Sequence, residues 1–153
     1  MMDKQEALAK LREKGAYDAG KLQREAADGT ATQTEIIRRE DAVPAFDPKK
    51  DYSQWPVNAP VSDEGQVWLL LQPHNAAHYD GRPSGLRALW GLAHTTDPNR
   101  AKPWVAPFGT SGVYMAGECV LWTDGAVYVS AIDNNVWSPE GYPAGWTRYE
   151  TEL

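Results

Sequence analysis

Apolar and small residues recur at every third or fourth position over residues 3–27, a spacing typical of one face of an α-helix. These positions are Leu8, Leu11, Gly15, Ala19, Leu22 and Ala26. Strong helix formers fill the positions between them, and Asp28-Gly29 then supplies a glycine for a left-handed C-cap. The pattern predicts a helix with a narrow apolar stripe that needs a partner surface. That surface is either the rest of the same domain or another subunit.

A second, shorter helix is predicted after the first. Thr32 and Glu35 have the spacing of a capping box, in which each side chain accepts a hydrogen bond from the backbone amide of the other residue. The helix extends to about Asp41, and Pro44 prevents its continuation. We therefore predict that residues 44–58 form an extended linker or wrapping segment.

From about Ala59 onwards, short apolar runs alternate with turn residues. The runs at 66–71, 119–122 and 126–130 are rich in Val, Leu and aromatic residues, as β-strands are. Asp124-Gly125 between the last two runs favours the tight turn of an antiparallel hairpin. The pattern predicts a mainly β, antiparallel structure.

The β-rich part of the chain contains an internal repeat. Residues 59–68 and 118–128 each have a Val-containing strand, a polar turn ending in Gly, one further residue, then Val and an aromatic residue. Each segment continues into a polar loop and closes on a tryptophan, Trp90 or Trp146. The predicted organisation is a helical docking or oligomerisation leader (1–43), an extended linker (44–58) and two small tandem β-modules (59–95 and 103–150).

Modules this small need large side chains to fill their cores, because they bury little surface. Tryptophan and tyrosine supply most buried area per residue. We expect four of these aromatic residues to be core residues: Trp68, Trp90, Tyr128 and Trp146.

Several short motifs resemble the chitin-binding type-3 domain, the carbohydrate-binding modules of families 5 and 12. They are Gln72-Pro73-His74, Pro83-Ser84 and Ala88-Leu89-Trp90, preceded by Gly65-x-Val67-Trp68 in place of the family's Gly-x-x-Tyr strand. The resemblance covers roughly residues 55–150 as two copies. It implies small β-modules that bind polysaccharide without catalysis.

The family pattern also has an exposed tryptophan two residues before a loop proline. Trp137 has this spacing from Pro139, whereas Gly81 precedes Pro83 in the first repeat and the nearest aromatic residue is Tyr79. The resemblance therefore implies Trp137 as the main sugar contact. The first module departs from the pattern at this point.

An exposed aromatic ring provides a flat apolar surface for the C–H face of a pyranose, and nearby polar groups bind its hydroxyls. Trp137 has polar neighbours, and Tyr142 can extend the surface. Trp137 can alternatively anchor its loop in the interior, and Trp122, at a hairpin end, can face the ligand or the core. The candidate carbohydrate-binding residues are Trp137, Tyr142, Trp122, Asn134, Asn135 and Tyr79.

Composition restricts the possible partners. The chain has 153 residues and a net charge of −6, with no basic stripe, which argues against nucleic acid and against an anionic membrane surface. The single cysteine, Cys119, excludes an intrachain disulfide, and we expect it to be buried and inert. Residues 1–15 are charged throughout and are unlike a signal peptide, so we expect a soluble protein made in the cytoplasm.

The sequence gives no positive indication of an enzyme. His74 and His78 are four residues apart, but the preceding Pro73 indicates a loop and no third metal ligand has a suggestive spacing. Residues 109–112 lack the lysine of a phosphate-binding loop. We therefore predict no catalytic residues, no metal and no cofactor.

The leading hypothesis is a non-catalytic attachment protein that recognises a surface polysaccharide. The leader, with Asp28-Gly29-Thr30-Ala31, Glu40-Asp41 and Pro44, also resembles small accessory proteins of bacteriophage tails. This second resemblance implies a virion component, present in several copies or as a homo-oligomer, whose N-terminal helix docks onto other particle subunits. The alternatives are a structural virion protein whose modules bind protein, and a targeting subunit of a polysaccharide hydrolase.

Overall fold

The computed structural model describes residues 3–150 and has a long N-terminal helix followed by two small β-sheets. The expected mainly β fold with a helical N-terminus is confirmed at this level. The helical leader was predicted from residue 1, and residues 1 and 2 lie outside the described part. The helices and strands are α1 (Lys4–Asp28), α2 (Gln33–Arg38), β1 (Pro60–Asp63), β2 (Gln66–Leu70), β3 (Trp90–Leu92), β4 (Lys102–Pro103), β5 (Cys119–Leu121), β6 (Val127–Ser130) and β7 (Trp146–Arg148).

α1 ends at the predicted Gly29 and α2 begins after the predicted Thr32 cap, but α2 ends at Arg38 rather than near Asp41, and a 3-10 turn over Glu40–Ala42 follows it. The Asp3 side chain accepts a hydrogen bond from the Glu6 amide at 2.8 Å, and Gly29 ends α1 with a φ of 82°. Thr32 accepts from the Glu35 amide at 3.1 Å, which is one half of the predicted capping box. These bonds satisfy amides that a helix N-terminus leaves without partners.

Only the C-terminal half of α1 packs on the rest of the protein. Leu22 and Ala26 are buried in a cluster with Ile36 and Ile37 of α2, and Arg39 forms an ion pair with Glu25. The N-terminal half projects away, so its stripe residues Leu8, Leu11 and Gly15 are exposed. Within the described residues, the C-terminal half of the predicted apolar stripe thus packs on its own domain, and the N-terminal half is exposed to solvent.

The first sheet has the order β1-β2-β3, and all its strands are antiparallel. Successive side chains of a strand point to opposite faces. In β2, Val67 and Leu69 pack in the cluster with the helices, and Trp68 and Leu70 pack in a second, aromatic core. The sheet is therefore buried on both faces.

Residues 44–58 form an irregular segment with several turns, and they complete the aromatic core. Phe46 and Tyr52 are buried, and the Tyr52 ring lies edge-on to Trp90 with 5.2 Å between centroids. Ala45 pairs in parallel with Ser62 of β1. The segment belongs to the first sheet rather than merely connecting it to the helices.

The second sheet has the order β4-β5-β6-β7. Its β4 strand is parallel to β5 and the other pairs are antiparallel, so this sheet is mixed and not wholly antiparallel as predicted. Tyr114, Val120 and Trp146 form its small core. Tyr128 was expected in a core; it packs against this core but is only half-buried, and its hydroxyl donates to Asp124 at 2.7 Å. Its polar end remains at the surface because the Asp124 carboxylate supplies a partner there.

The two sheets contain the same features in the same order. Each has a segment that pairs in parallel with the first strand of its hairpin. Each also has a buried tyrosine whose hydroxyl accepts a hydrogen bond from a backbone amide: Tyr52 accepts from the Asp47 amide, and Tyr114 accepts from the Val105 amide. Each tyrosine ring lies edge-on to a tryptophan, and the Tyr114–Trp146 distance is 5.4 Å. A hairpin, a loop, a short 3-10 helix and a tryptophan-initiated strand follow in both.

The sheets also contact each other directly. His94, which follows β3, stacks on Tyr114 with 3.8 Å between ring centroids, and its Nε2 lies 2.8 Å from the Gly112 carbonyl. Thr95 pairs with Cys119 of β5. These contacts hold the two sheets against each other.

Candidate functional site

Trp137 and Tyr142 form an exposed aromatic pair on the loop between β6 and β7. Their ring centroids are 4.9 Å apart and their planes are tilted by 58°. Trp137 is 46% exposed and Tyr142 is 41% exposed, so each ring has one part packed and another part open to solvent. We refer to Trp137 and Tyr142 as the aromatic pair.

Asn135 holds the loop that carries the aromatic pair. It is fully buried, and its amide nitrogen lies 2.9 Å from the Gly145 carbonyl and 3.1 Å from Ser130 Oγ. Its side-chain oxygen accepts from the Trp137 amide at 3.2 Å. The end of β6 and two parts of the loop are thus tied to one buried side chain.

Two further contacts fix the positions of the rings. The Trp146 indole N–H donates to the Trp137 carbonyl at 3.0 Å, which ties the aromatic pair to the second core. Tyr142 packs so closely on Gly145 that a Cβ there would lie 2.9 Å from Tyr142 Cδ2. The loop is therefore built before any ligand arrives, and preorganisation reduces the entropy cost of binding.

The prediction of Asn135 as a sugar contact needs correction. Its side chain has no exposed surface, and its polar atoms are used within the protein. Its neighbour Asn134 is exposed, in a left-handed conformation with a φ of 52°. Asn134 thus remains a polar group available on the same loop.

Trp122 does not join the aromatic pair. It follows β5 at the hairpin turn, is half-buried, and lies edge-on to Trp104 with 6.0 Å between centroids. The pair lies towards the opposite end of β6, a strand that spans roughly 13 Å. The structure thus separates two candidates that the sequence placed in one set.

Tyr79 lies on the first sheet's loop, and it is 47% exposed. Its ring is edge-on to buried His74 at 5.3 Å. It lines a groove with residues 84–89 and Phe108, separate from the aromatic pair. Phe108, which is 58% exposed, was not among the residues predicted from the sequence.

The structure also corrects the alignment of the two repeats. Pro83 begins the 3-10 helix of the first sheet and Pro143 begins that of the second, so Pro83 corresponds to Pro143 and not to Pro139. Each proline lies in a Gly-x-Pro-x-Gly motif, 81–85 and 141–145, that the sequence comparison missed. Four extra residues between the first motif and Trp90 obscured this match.

This alignment places different residues at the positions of the aromatic pair in the first sheet. Counting back from the prolines, Ala77 corresponds to Trp137 and Arg82 corresponds to Tyr142. Arg82 binds Asp63 through two hydrogen bonds, at 2.9 and 2.6 Å. The first sheet therefore has an ion pair where the second has an aromatic surface.

Buried titratable groups lie in and beside a small cavity of about 160 Å³ between the sheets. Burial lowers the pKa of His94 from 6.5 to about 4, and burial raises the pKa of Glu118, which accepts from the Met115 amide. Beside the cavity, burial raises the pKa of the Cys119 thiol to about 11, which disfavours the reactive thiolate. Across residues 3–150, no cluster of three or more His, Cys, Asp or Glu side chains is arranged to hold a metal ion.

Comparison with protein-family models and with curated proteins gives no match for this chain. In residues 3–150, no helix combines the length and apolarity needed to cross a membrane.

Proposed function

We propose that this protein binds a polysaccharide without cleaving it and that the aromatic pair forms the binding surface. The observation that carries the proposal is that the rings of Trp137 and Tyr142 are exposed to solvent and are also held in place by the loop. Large rings left open on a rigid loop lose little entropy when a ligand covers them. Pyranose rings present C–H faces that suit such a surface.

The proposal includes two tandem modules of common origin that have diverged. The matched tyrosines, the matched Gly-x-Pro-x-Gly motifs and the matched tryptophan strands support this. On this interpretation the second module keeps a sugar surface of the chitin-binding type-3 kind. The first module has Ala77 and Arg82 at those positions, so it lacks this aromatic surface.

We place the protein in a larger assembly, such as a virion or phage tail, through the N-terminal half of α1. The exposed Leu8, Leu11 and Tyr17 on a projecting helix support this docking role. Several copies on one particle would turn weak binding at each aromatic pair into strong attachment. The rival function is a structural virion protein in which the aromatic pair contacts protein, and the projecting helix suits that rival equally.

Co-sedimentation with insoluble chitin and with purified bacterial cell walls tests the proposal. The variant Trp137→Ala keeps the carbonyl that accepts from Trp146, so the loop retains this anchor. The matched control is Tyr149→Ala, which removes an exposed ring outside the pair. Retention of the wild type and the control, with loss for Trp137→Ala, supports the proposal. A folded wild type that is retained on neither material favours the structural rival.

A further inference from the structure

The two sheets differ in what covers their outer faces. In the first sheet, Val67 and Leu69 of β2 point away from the aromatic core and are buried in the cluster with α1 and α2. In the second sheet, Val127 and Val129 of β6 point away from the core in the same way. In the described part of the chain, α1 and α2 have no counterpart at this sheet, so both valines are only half-buried and neighbouring Leu121 is 38% exposed. We call Leu121, Val127 and Val129 the open face.

The segments that precede the two hairpins show that these faces are equivalent. Ala45 and Pro103 are the residues that pair in parallel with the first strand of each hairpin. Each is preceded at the same distance by a short 3-10 helix, Glu40–Ala42 in the first module and Pro98–Arg100 in the second. α1 packs beside the first of these 3-10 helices, and β6 lies beside the second. The second module therefore has the surface on which α1 lies in the first module, but not the helix.

α1 carries the matching contact residues twice. Leu22 and Ala26 are the residues of α1 that are buried on the first module. Leu11 and Gly15 repeat this pattern of a leucine and a small residue eleven positions earlier, which is about three helical turns, so they lie on the same side of the helix. Leu11 is exposed, and a Cβ on Gly15 would have nothing within 4 Å. One helix contact and one sheet face are thus joined, and the other two are without a partner within residues 3–150.

The ion pair that holds α1 on the first module has a counterpart with the charges exchanged. Arg39, directly before the first 3-10 helix, pairs with Glu25 of α1. Asp97 lies directly before the second 3-10 helix, and Lys14 lies eleven residues before Glu25. The side chain of Lys14 is largely exposed. Asp97 accepts from Arg38 at 3.0 Å, and a carboxylate has room for further donors.

The wider charge distribution favours the same arrangement. Residues 4–14 carry four basic and two acidic side chains, whereas residues 103–150 carry one basic and five acidic ones. The exposed half of α1 is therefore attracted to the second module of another copy, and two such half-helices repel each other. The C-terminal half of α1 is fixed on its own first module, and the structure leaves Leu8 and Leu11 of the same helix exposed.

We propose that the N-terminal half of α1 docks on the open face of a second copy of this chain. Leu11 packs against the open face, and Lys14 approaches Asp97. Each copy contributes a helix at one contact and a sheet at the next, so the contact is heterologous. Ile36 and Ile37 of α2, which complete the first contact, have no equivalent here, so we expect weak association with a dissociation constant on the order of 10–100 µM. Dilute protein is then monomeric. This inference rests on the docking role proposed for α1 and names its partner.

Sedimentation equilibrium of the full chain, at concentrations below and above this range, tests the inference. The average mass of the wild type should rise with concentration. Leu11→Gln and Leu121→Thr should each weaken association at least about tenfold, because each removes apolar surface from one side of the contact. The matched controls should associate like the wild type. They are Ala9→Gln, on the opposite side of α1, and Leu71→Thr, which changes a leucine of similar exposure outside the open face.

An equimolar mixture of Leu11→Gln and Leu121→Thr identifies the two surfaces. The first variant keeps the open face and the second keeps the helix, so the mixture should associate although neither variant does alone. A misfolded variant would not restore association. A wild type that stays monomeric, or a mixture that does, would overturn the inference. Loss of association in Leu11→Gln but not in Leu121→Thr would also overturn it, because the helices would then pair with each other.

These measurements use no glycan, so their failure is distinguishable from failure of the proposed function. Monomeric wild type that chitin or cell walls retain through Trp137 would remove the second copy as the partner of α1 and leave polysaccharide binding in place. Association through Leu11 and Leu121 without retention on either material would do the reverse.

Discussion

Asn75 and Asn135 occupy equivalent positions in the two sheets, and each side-chain oxygen accepts a hydrogen bond from the backbone amide two residues later. The distances are 3.0 Å to Ala77 and 3.2 Å to Trp137. Each asparagine also pairs through its backbone with the segment before the hairpin, at Asp51 and at Tyr114. The same hydrogen-bonding pattern therefore positions the methyl group of Ala77 in the first sheet and the indole ring of Trp137 in the second.

Replacing Asn135 should destabilise the protein and remove glycan binding together. Asn135→Ala leaves the Trp137 amide without its partner, which costs about 1–3 kcal/mol, and removes one of two donors to the buried Gly145 carbonyl, which still accepts from the Ala131 amide. Urea denaturation should show a lower midpoint for this variant. Asn75→Ala is the matched control and should cost less, because Asn75 is only half-buried. Equal costs would contradict the central role given to Asn135.

Gly145→Ala should disturb the aromatic pair, whereas Gly85→Ala should not. The added Cβ at 145 would lie 2.9 Å from Tyr142 and 3.1 Å from Asn135, but nothing lies within 4 Å of the same atom at 85. Co-sedimentation with the retaining polysaccharide checks both variants. Full retention of Gly145→Ala would show that the position of Tyr142 is unimportant for binding.

The exposed half of α1 should contribute little to the stability of the isolated protein. Leu22→Ala removes a fully buried side chain and should cost about 2–5 kcal/mol, whereas Leu11→Ala should change the free energy of unfolding by less than about 0.5 kcal/mol. Chemical denaturation measures both. A large cost at Leu11 would mean that another subunit already covers this face in solution.

Protonation of His94 should weaken the contact between the sheets at acidic pH. Its pKa is lowered from 6.5 to about 4, so the unfolded chain binds an extra proton between these values. Stability is therefore lost as the pH falls from about 6.5 to about 4, by about 3 kcal/mol at most. The control His94→Gln retains a hydrogen-bond donor but does not titrate. Its stability should fall less steeply over this range, and identical pH profiles would contradict the assignment.

The sequence predicts the regular elements well because their signals are local. Gly29 ends α1 and Thr32 begins α2 through contacts within a few residues. The hairpin between β5 and β6 follows from Asp124-Gly125, and Trp90 and Trp146 begin closing strands as the repeat indicated. Residue type and spacing are sufficient for these features.

The remaining features depend on contacts between distant residues. Asn135 looks like a solvent-facing loop residue until Gly145 and Ser130 approach it across the fold. Phe46 and Tyr52 lie in a proline-containing segment without periodicity, and only the aromatic core shows why they are buried. The groove beside Tyr79 is lined by residues 86–89, which are the insertion that also hid the repeat alignment.

The most direct test of glycan binding by the aromatic pair uses the indole N–H signals of the seven tryptophans in an NMR spectrum. Soluble fragments released from chitin and from bacterial cell walls are titrated into the protein, and the Trp137 signal is assigned with Trp137→Phe. We expect the Trp137 signal to shift with one of these fragments, while the signals of buried Trp68 and Trp90 stay in place. A Trp137 signal that does not move with any fragment, in a folded protein, would contradict it.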